Sequence, residues 1–419
     1  MSYHLRRPHF AALLGACAVG LAVGGAKAEP APPYAELLAQ SQRRAPRLVE
    51  AEAGLRQAAG QAEQAAVRPN PTASLQAENF TGSGPYRGYE QAETTLSIFQ
   101  PLELGGKRSA RIEVGRAGMD AARARATQAH ADFGFNLAIA YADAEATERR
   151  EALAGESLAL AQEDLRIARV LVDAGREAGL RVLQAEAAVT AAQADVESAR
   201  AVRMTALSRL SALAGVSAPY TSISSSILAR PSPVAAMIPP DVLSAPAVVT
   251  AQADREAAAR RVRLERTKAA PDVTASIGVR RFSGDDSTAV VAGVSAPLPL
   301  FDRNRGNITS AQADLQAAEA RLNAARLDAE AEIRTSIFQI GAADARLTAA
   351  AQGESGASEA YRLTRTGYET GKLPLFELLA ARRALADAQA RVVDAQLARV
   401  RAQANLARLQ GRAPLGDRP

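Results

Sequence analysis

Two short charged segments contain the residue types from which an ion pathway could be built. They share one order and spacing, Arg169, Asp173 and Gly175 in the first and Arg365, Glu369 and Gly371 in the second. Carboxylates repeated around a constriction favour cations, and an arginine four residues earlier could hold each by an ion pair. The alternative is solvated turn charges, which contribute about 0 to 1 kcal/mol per surface pair. The glycines permit the backbone conformation that a tight reversal between helices requires.

Residues of catalytic type elsewhere do not form a set. Gly105-Gly106-Lys107 is not a phosphate loop, because the upstream glycine is absent and position 100 is Gln. A structural metal site needs several Cys or His ligands, whereas His130 stands alone in the body of the chain and is better explained as a helix-surface or packing residue. The sequence therefore predicts no enzyme, no cofactor and no resident metal site.

The charged segments belong to a duplicated unit. Gln100-Pro-Leu-Glu-Leu-Gly-Gly-Lys-Arg108 is repeated as Ala296-Pro-Leu-Pro-Leu-Phe-Asp-Arg-Asn-Arg-Gly306, so that Pro101 matches Pro297 and Lys107 matches Arg303. The same spacing relates the two charged segments. Each copy is expected to contain strands, then a proline-bounded junction, then a helical hairpin, and such a duplication is interpreted before any smaller motif.

The predicted elements position these junctions between strands and long helices. The first copy, 29–215, has a helix, strands at 72–80 and 89–100, and a helical hairpin at 106–215. The second copy, 241–411, has a helix, strands at 272–283 and 288–298, and a hairpin at 306–411; residues 216–240 form a linker and 412–419 a disordered tail. A tilted strand of 9 to 11 residues can cross a bilayer. The first helix of the hairpin, a proline-free run over 106–173, would reach roughly 100 Å.

The return helices carry a repeated apolar seam. Its positions are seven apart, at Val182, Val189, Val196, Arg203 and Leu210, and again at Leu378, Leu385, Val392, Arg399 and Leu406. Such a stripe indicates coiled-coil packing and carries no chemistry. Even the charged interruption is duplicated.

The two junction motifs resemble those of TolC-type outer-membrane efflux proteins, in particular the cobalt-zinc-cadmium resistance branch. The resemblance implies long α-helical hairpins forming a periplasmic tunnel, with four strands per chain in a shared transmembrane β-barrel of twelve strands in a homotrimer. It marks Pro101, Gly105, Gly106, Pro297 and Gly306 as strand-to-helix junctions. It also implies that Arg169, Gly175, Arg365 and Gly371 form a tip that docks a periplasmic adaptor, and that Asp173 and Glu369 are candidates for the constriction.

The resemblance further implies an outer-membrane duct of a Gram-negative cell, with most of its mass in the periplasm. It would conduct heavy-metal cations from an inner-membrane, proton-driven pump of the RND type. Four strands cannot close around water, and an open edge is unfavourable in lipid, so strands from other copies are required. Strand counting alone leaves a dimer with eight strands open. Drug efflux, type I secretion and a periplasmic coiled-coil scaffold without a pore remain alternatives.

The N-terminal segment 1–28 predicts a secretory signal peptide. Arg6 and Arg7 precede an apolar run, and Ala26-Lys27-Ala28 is a suitable cleavage site. Cys17 follows Leu14-Gly15-Ala16, which resembles a lipoprotein cleavage box. Cleavage there would leave an apolar Ala18–Gly25 at the new terminus, so we favour cleavage after Ala28 and keep lipidation of Cys17 as the weaker alternative. Removal of the segment leaves a net charge near zero, which gives no indication of nucleic-acid binding.

Overall fold

The computed structural model describes residues 29–229 and 241–414. The predicted signal peptide with Cys17, residues 230–240 of the predicted linker and residues 415–419 of the predicted tail lie outside the described residues. Within the described ranges, none of the helices is long and apolar enough to cross a membrane.

Long helices make up most of the described chain. In chain order they are α1 (Tyr34–Arg44), α2 (Pro46–Ala66), α3 (Lys107–Asp173), α4 (Leu180–Ala214), α5 (Pro246–Lys268), α6 (Arg305–Glu369) and α7 (Leu375–Leu409). The 67 residues of α3 span about 100 Å at 1.5 Å per residue. Pro46 and Pro246 begin α2 and α5, where a proline lacks only an N–H that has no helical partner.

The helices pair as two antiparallel hairpins. α3 packs on α4, and α6 packs on α7, while α3 also contacts α2, α5 and α7. The buried face of α3 is dominated by alanine, and Ala138, Ala142 and Ala144 are fully buried. Small side chains let neighbouring helices approach closely, so α3 can be surrounded along much of its length.

Four strands form one antiparallel sheet in the order β1 (Thr72–Glu78), β2 (Glu93–Leu102), β3 (Val273–Phe282) and β4 (Thr288–Ser295). The two β-hairpins keep the same register. Thr72 lies opposite Phe99 in the first, and Thr274 lies opposite Ser295 in the second. Because Thr72-Ala73-Ser74 recurs as Thr274-Ala275-Ser276, the duplication extends into the strands.

The sheet has one apolar and one polar face. Side chains alternate along each strand, and the register places large apolar residues together on one exposed face: Leu75, Leu96, Ile98, Ile277, Val279, Val290 and Val294. The opposite face carries Gln76, Glu78, Glu93, Thr95, Ser97, Ser276 and Arg280. An apolar outer face with a polar inner face is the pattern of a transmembrane barrel wall.

The strand ends differ from the predicted ones. β2 covers 93–102 instead of 89–100, and β1 and β4 stop at Glu78 and Ser295. Pro101 therefore lies inside β2, opposite Thr274, and the prediction that it ends the strand is wrong. β1 pairs only as far as Phe99, so beyond that point β2 has one open flank, which tolerates a residue without an N–H. Pro297 follows β4 by two residues.

The second junction also turns at an unexpected residue. Gly105 and Gly106 adopt positive φ angles of 67° and 78° directly before α3. In the second copy, Asn304 takes the left-handed conformation, with φ 57°, directly before α6. Gly306 is the second residue of α6, and its role at the junction stays a prediction. Asparagine substitutes for glycine because its short polar side chain tolerates this region.

Candidate functional site

Both hairpins reverse through the same backbone motif. Gly175 has φ 72°, and its N–H donates to the carbonyl of Val172 at 2.9 Å, while the N–H of Arg176 donates to Leu171 at 2.9 Å. Gly371 has φ 74°, and the equivalent bonds join it to Tyr368 and join Lys372 to Gly367. This is the Schellman motif, in which a left-handed residue satisfies the last carbonyls of a helix.

The two reversals are adjacent in space. A buried cluster joins the end of α3 to both α6 and α7, and its members are Ile167, Ala168, Leu171, Ala185, Tyr361, Tyr368, Leu375, Leu378 and Leu385. We call the two reversals and this cluster the tip. The predicted tip residues are thus brought together, whereas the junction residues lie about 100 Å away at the opposite end of α3.

The charged residues of the tip pair in two different ways. Arg365 Nε donates to Glu369 Oε1 at 2.9 Å, and Arg365 also lies 3.5 Å from Glu163 of α3. Arg169 instead bridges to Glu186 of α4 at 2.8 Å, so it does not hold Asp173. Asp173 and Glu369 are both exposed in the single chain. The pairing of arginine with the candidate constriction carboxylate therefore occurs in the second copy and not in the first.

A buried ion pair beside this network is absent from the sequence predictions. Asp164 of α3 is 1% exposed, and its Oδ2 accepts a hydrogen bond from Arg382 of α7 at 3.0 Å. Burial raises the pKa of Asp164 to about 6, although Arg382 and Arg365 oppose that rise. The hydroxyls of Tyr361 and Tyr368 and Asp164 Oδ1 are buried without a hydrogen-bond partner.

A sequence signal for this pair does exist. Asp164 lies three residues before Ile167 and seven before Leu171, so it falls on the apolar stripe of α3. Arg382 interrupts the seam of α7 between Leu378 and Leu385. A charge of each sign on two facing apolar stripes indicates a buried pair, but only the structure reveals that α3 and α7 face each other.

The charged interruptions of the coiled-coil seam hold the linker. Arg203 lies 3.4 Å from the carbonyl of Thr221, and the buried Arg399 donates to the carbonyl of Leu228 at 2.9 Å. Glu145 accepts backbone hydrogen bonds from Ile227 and Leu228. The described part of the linker, 216–229, therefore lies against the hairpins, and the duplicated Arg203 and Arg399 both contact it.

The polar face of the sheet contains a second charged group. Arg280 lies 3.0 Å from Glu93 and 3.4 Å from Glu78, and its Nε donates to Thr95 Oγ1 at 2.9 Å. The exposed aromatic residues Phe80, Tyr86 and Tyr89 lie beyond the same end of the strands. Aromatic side chains are typical of the interfaces at which a barrel meets the lipid headgroups.

The first junction, Leu104 to Lys107, contacts the second repeat of the same chain. Lys107 Nζ lies 2.8 Å from Asp272 Oδ1, and the N–H of Leu104 donates to the same oxygen at 3.3 Å. Gly105 approaches Ala270 so closely that a Cβ atom at Gly105 would lie 2.8 Å from the Ala270 methyl. We call this contact the internal joint. Within the described residues, no group of His, Cys, Asp or Glu is arranged to hold a metal ion.

Long helical hairpins that carry a four-stranded sheet with one apolar face define an outer-membrane channel. The chain matches the family profile described as "Outer membrane efflux protein" over residues 37–216 and 242–412, and it belongs to this family. The predicted family, fold class and outer-membrane location are therefore confirmed, and the helical part extends into the periplasm.

Named relatives and a solved structure agree with this assignment. The nickel-cobalt-cadmium resistance protein NccC of Alcaligenes xylosoxydans xylosoxydans is 47% identical over 95% of this chain and 91% of its own length. The cobalt-zinc-cadmium resistance protein CzcC of Cupriavidus metallidurans is 28% identical over 83% and 82%. The nickel-cobalt-cadmium relative is thus more similar than the branch predicted from the junction motifs. The outer-membrane channel OprN shares the fold, with a TM-score of 0.77, 22% identity, and coverage of 90% and 89%.

Proposed function

We propose that this protein is the exit duct of a tripartite efflux system that removes heavy-metal cations. The observation that carries the proposal is the sheet, which has an exposed apolar face, a polar face and two unpaired edges, directly above hairpins about 100 Å long. A wall with this chemistry separates lipid from water. The hairpins extend the aqueous path across the periplasm.

The functional unit is a homotrimer. β1 and β4 each have one neighbour in the chain, and an open strand edge is costly in lipid because its N–H and C=O groups lack partners. Three copies give twelve strands in one closed barrel. A dimer would give eight strands, whose interior is just filled by side chains, which does not suit a conducting duct.

The tip is the docking and gating end. Its glycines and the exposed Arg169 and Lys372 form the surface offered to a periplasmic adaptor, and an inner-membrane, proton-driven pump of the RND type supplies the substrate. Asp173 and Glu369 of each of the three subunits place up to six carboxylates near the threefold axis. Such a ring favours cations, and Arg365 restrains the carboxylate of Glu369.

Heavy-metal cations are the proposed substrate because the relatives named above are nickel, cobalt, zinc and cadmium resistance proteins. The duct needs no metal site of its own, since the pump selects the cargo that the aqueous path conducts. Drug efflux and type I secretion are the alternative substrate classes for the same duct.

Growth of a deletion strain tests this proposal. Loss of the gene should lower the tolerated concentrations of nickel, cobalt and cadmium salts, and expression of the wild-type chain should restore them. Tolerance to a panel of organic drugs and the secretion of proteins should stay unchanged. A strain that becomes drug-sensitive but keeps its metal tolerance would overturn the metal assignment in favour of drug efflux.

A further inference from the structure

The internal joint has a counterpart that the single chain leaves open. The duplication matches Leu104, Gly105 and Lys107 to Leu300, Phe301 and Arg303. The shared register of the two β-hairpins matches the corner before β3, Ala270 to Asp272, to the corner before β1, Arg68 to Asn70. The first junction contacts its corner within the chain. The second junction lies beside β4 and the first corner beside β1, at opposite edges of the sheet.

The residues of the open counterpart are exposed, whereas Lys107 is covered in the internal joint. The Lys107 side chain is 12% exposed and that of its partner Asp272 is 44% exposed, whereas Arg303 and Asn70 are both exposed. Phe301 is 99% exposed, with Leu298 and Leu300 exposed beside it. An exposed apolar loop at one open edge of the sheet, with an exposed polar corner at the other edge, indicates two surfaces that neighbouring chains cover.

We infer that the second junction of one subunit, Pro297–Arg303, docks on the first corner, Arg68–Asn70, of the next subunit. This contact, the intersubunit joint, repeats the internal joint around the ring and rests on the proposed assembly of several copies. Arg303 donates to the Asn70 side-chain oxygen, as Lys107 donates to Asp272. The N–H of Leu300 donates to the carbonyl of Leu298 at 2.8 Å, so the backbone hydrogen bond of Leu104 is not repeated. Phe301 takes the place of Gly105 and packs against Arg68, which replaces Ala270.

The residues of the two surfaces in the inferred joint have complementary chemistry. The asparagine oxygen accepts from the arginine without the charge of Asp272, and the guanidinium of Arg68 can stack on the Phe301 ring as a cation–π pair. Arg303 Nε also lies 3.4 Å from its own Pro299 carbonyl, which preorients the side chain. The left-handed residues are Gly105 and Gly106 in the first junction and Asn304 in the second. The two joints therefore share equivalent partners, but their backbone torsion angles differ.

The intersubunit joint also fixes the register of the closing strands. Within the chain, Ile98 of β2 lies opposite Ile277 of β3. Their counterparts are Val294 of β4 and Leu75 of β1, so these two residues should face each other between subunits. Both side chains belong to the apolar face of the sheet, so this pairing continues that face around the ring without a change of side.

Cysteine pairs test the contact. Oxidation of Asn70→Cys with Arg303→Cys should give covalent dimers and trimers on a denaturing gel, while either single variant stays monomeric. Lys107→Cys with Asp272→Cys is the matched control and should close only a loop within the monomer. Asn70→Cys with Arg321→Cys, placed roughly 27 Å further along, should not cross-link. A double variant that assembles on a native gel but yields only monomer after oxidation would overturn the inferred joint.

A charge series gives a second, independent measurement. Asn70→Lys places a cation beside Arg303 and should lower the amount of detergent-resistant oligomer about tenfold, while Arg303→Glu added to it should restore the oligomer. Ser283→Lys, in an exposed turn, controls for an added charge. No loss with Asn70→Lys, or no rescue, would overturn the joint. Intact metal tolerance in the same strains would leave the proposed function standing, and a cross-link ladder ending at the dimer would support the joint but refute the trimer.

Discussion

Asp164 is a buried carboxylate, and burial raises its pKa to about 6. It faces Arg382 of α7 and lies near Arg365 and Tyr361 of α6 and Glu163 of its own helix. Burial disfavours the charged form more than Arg382 favours it, so the folded chain holds its proton up to a pKa of about 6. The packing of the first hairpin on the second should therefore depend on pH.

The sign of this dependence follows from linkage. A carboxyl group whose pKa is raised on folding binds more protons in the folded state, so stability is highest below its ordinary pKa of 3.8 and is lost as pH rises through about 6. The effect is at most about 3 kcal/mol per chain. Asp164→Asn should remove it, so the thermal midpoint should change less between pH 5 and 7.5 than in the wild type. Asp195→Asn, an exposed control, should keep the wild-type difference, and an unchanged difference in Asp164→Asn would contradict the prediction.

The carboxylates of the tip should set ion selectivity. Asp173→Asn combined with Glu369→Asn removes up to six charges from the proposed constriction, so the reversal potential in a salt gradient should move toward zero in planar bilayers. Glu359→Gln, ten residues earlier on α6 and paired with Arg362, is the matched control. Equal selectivity in the double variant and the wild type would assign these residues to ordinary solvated turns.

At the scale of elements, the two tip glycines should be required for their conformation. Valine at Gly175 or Gly371 would have to adopt a positive φ, at a cost of roughly 1 to 2 kcal/mol per position. The variants should lower adaptor cross-linking and metal tolerance while the oligomer level stays constant. Asparagine at the same positions should be tolerated, because it accepts the left-handed conformation.

The internal helical glycines provide the control for this experiment. Gly155 and Gly353 have ordinary backbone angles and open space where a Cβ would be. Valine at these positions should leave adaptor cross-linking unchanged. If valine at the tip behaves like valine at Gly155, then the reversal does not depend on the left-handed residue.

The sequence predicted those elements whose signals are local or duplicated. Proline-free runs indicated the long helices, and the repeated glycines located both reversals within the residues that form the Schellman motifs. The ends of the strands depended on neighbours: β2 continues through Pro101 because β1 has already stopped pairing. Asn304 was missed because a left-handed asparagine carries a weaker signal than a glycine.

The pairs that cross between copies were outside the reach of sequence patterns. Asp164 and Arg382 are separated by 218 residues, and Lys107 and Asp272 by more than 160, so no spacing rule connects them. Their contact depends on how the two copies pack, which is determined by the whole set of apolar stripes. The duplication matched residues between the two repeats but did not indicate which of them are in contact.

At the scale of the whole molecule, the positions of the helices determine which end of the sheet lies outside the cell. The α-helices that adjoin the described strands (α2, α3, α5 and α6) all meet the sheet at one end, where the internal joint lies, and both β-hairpin turns lie at the other end. A periplasmic tunnel on the helical side therefore requires that the turns 79–92 and 283–287 face the outside of the cell. The exposed Phe80 and Tyr89 would then lie near the outer headgroups.

Labelling of intact cells measures this topology. Cysteines at Ser83 and Ser287 should react with a maleimide too large to pass the porins, since both positions lie in exposed turns. A cysteine at Lys372, in the tip, should react only after the outer membrane is opened, because it lies about 100 Å away on the periplasmic side. The backbone N–H of Ser287 still donates to Asp285 when the side chain is cysteine, so the turn keeps that hydrogen bond. Labelling of Lys372→Cys in intact cells, with Ser83→Cys protected, would reverse the orientation and with it the direction of the duct.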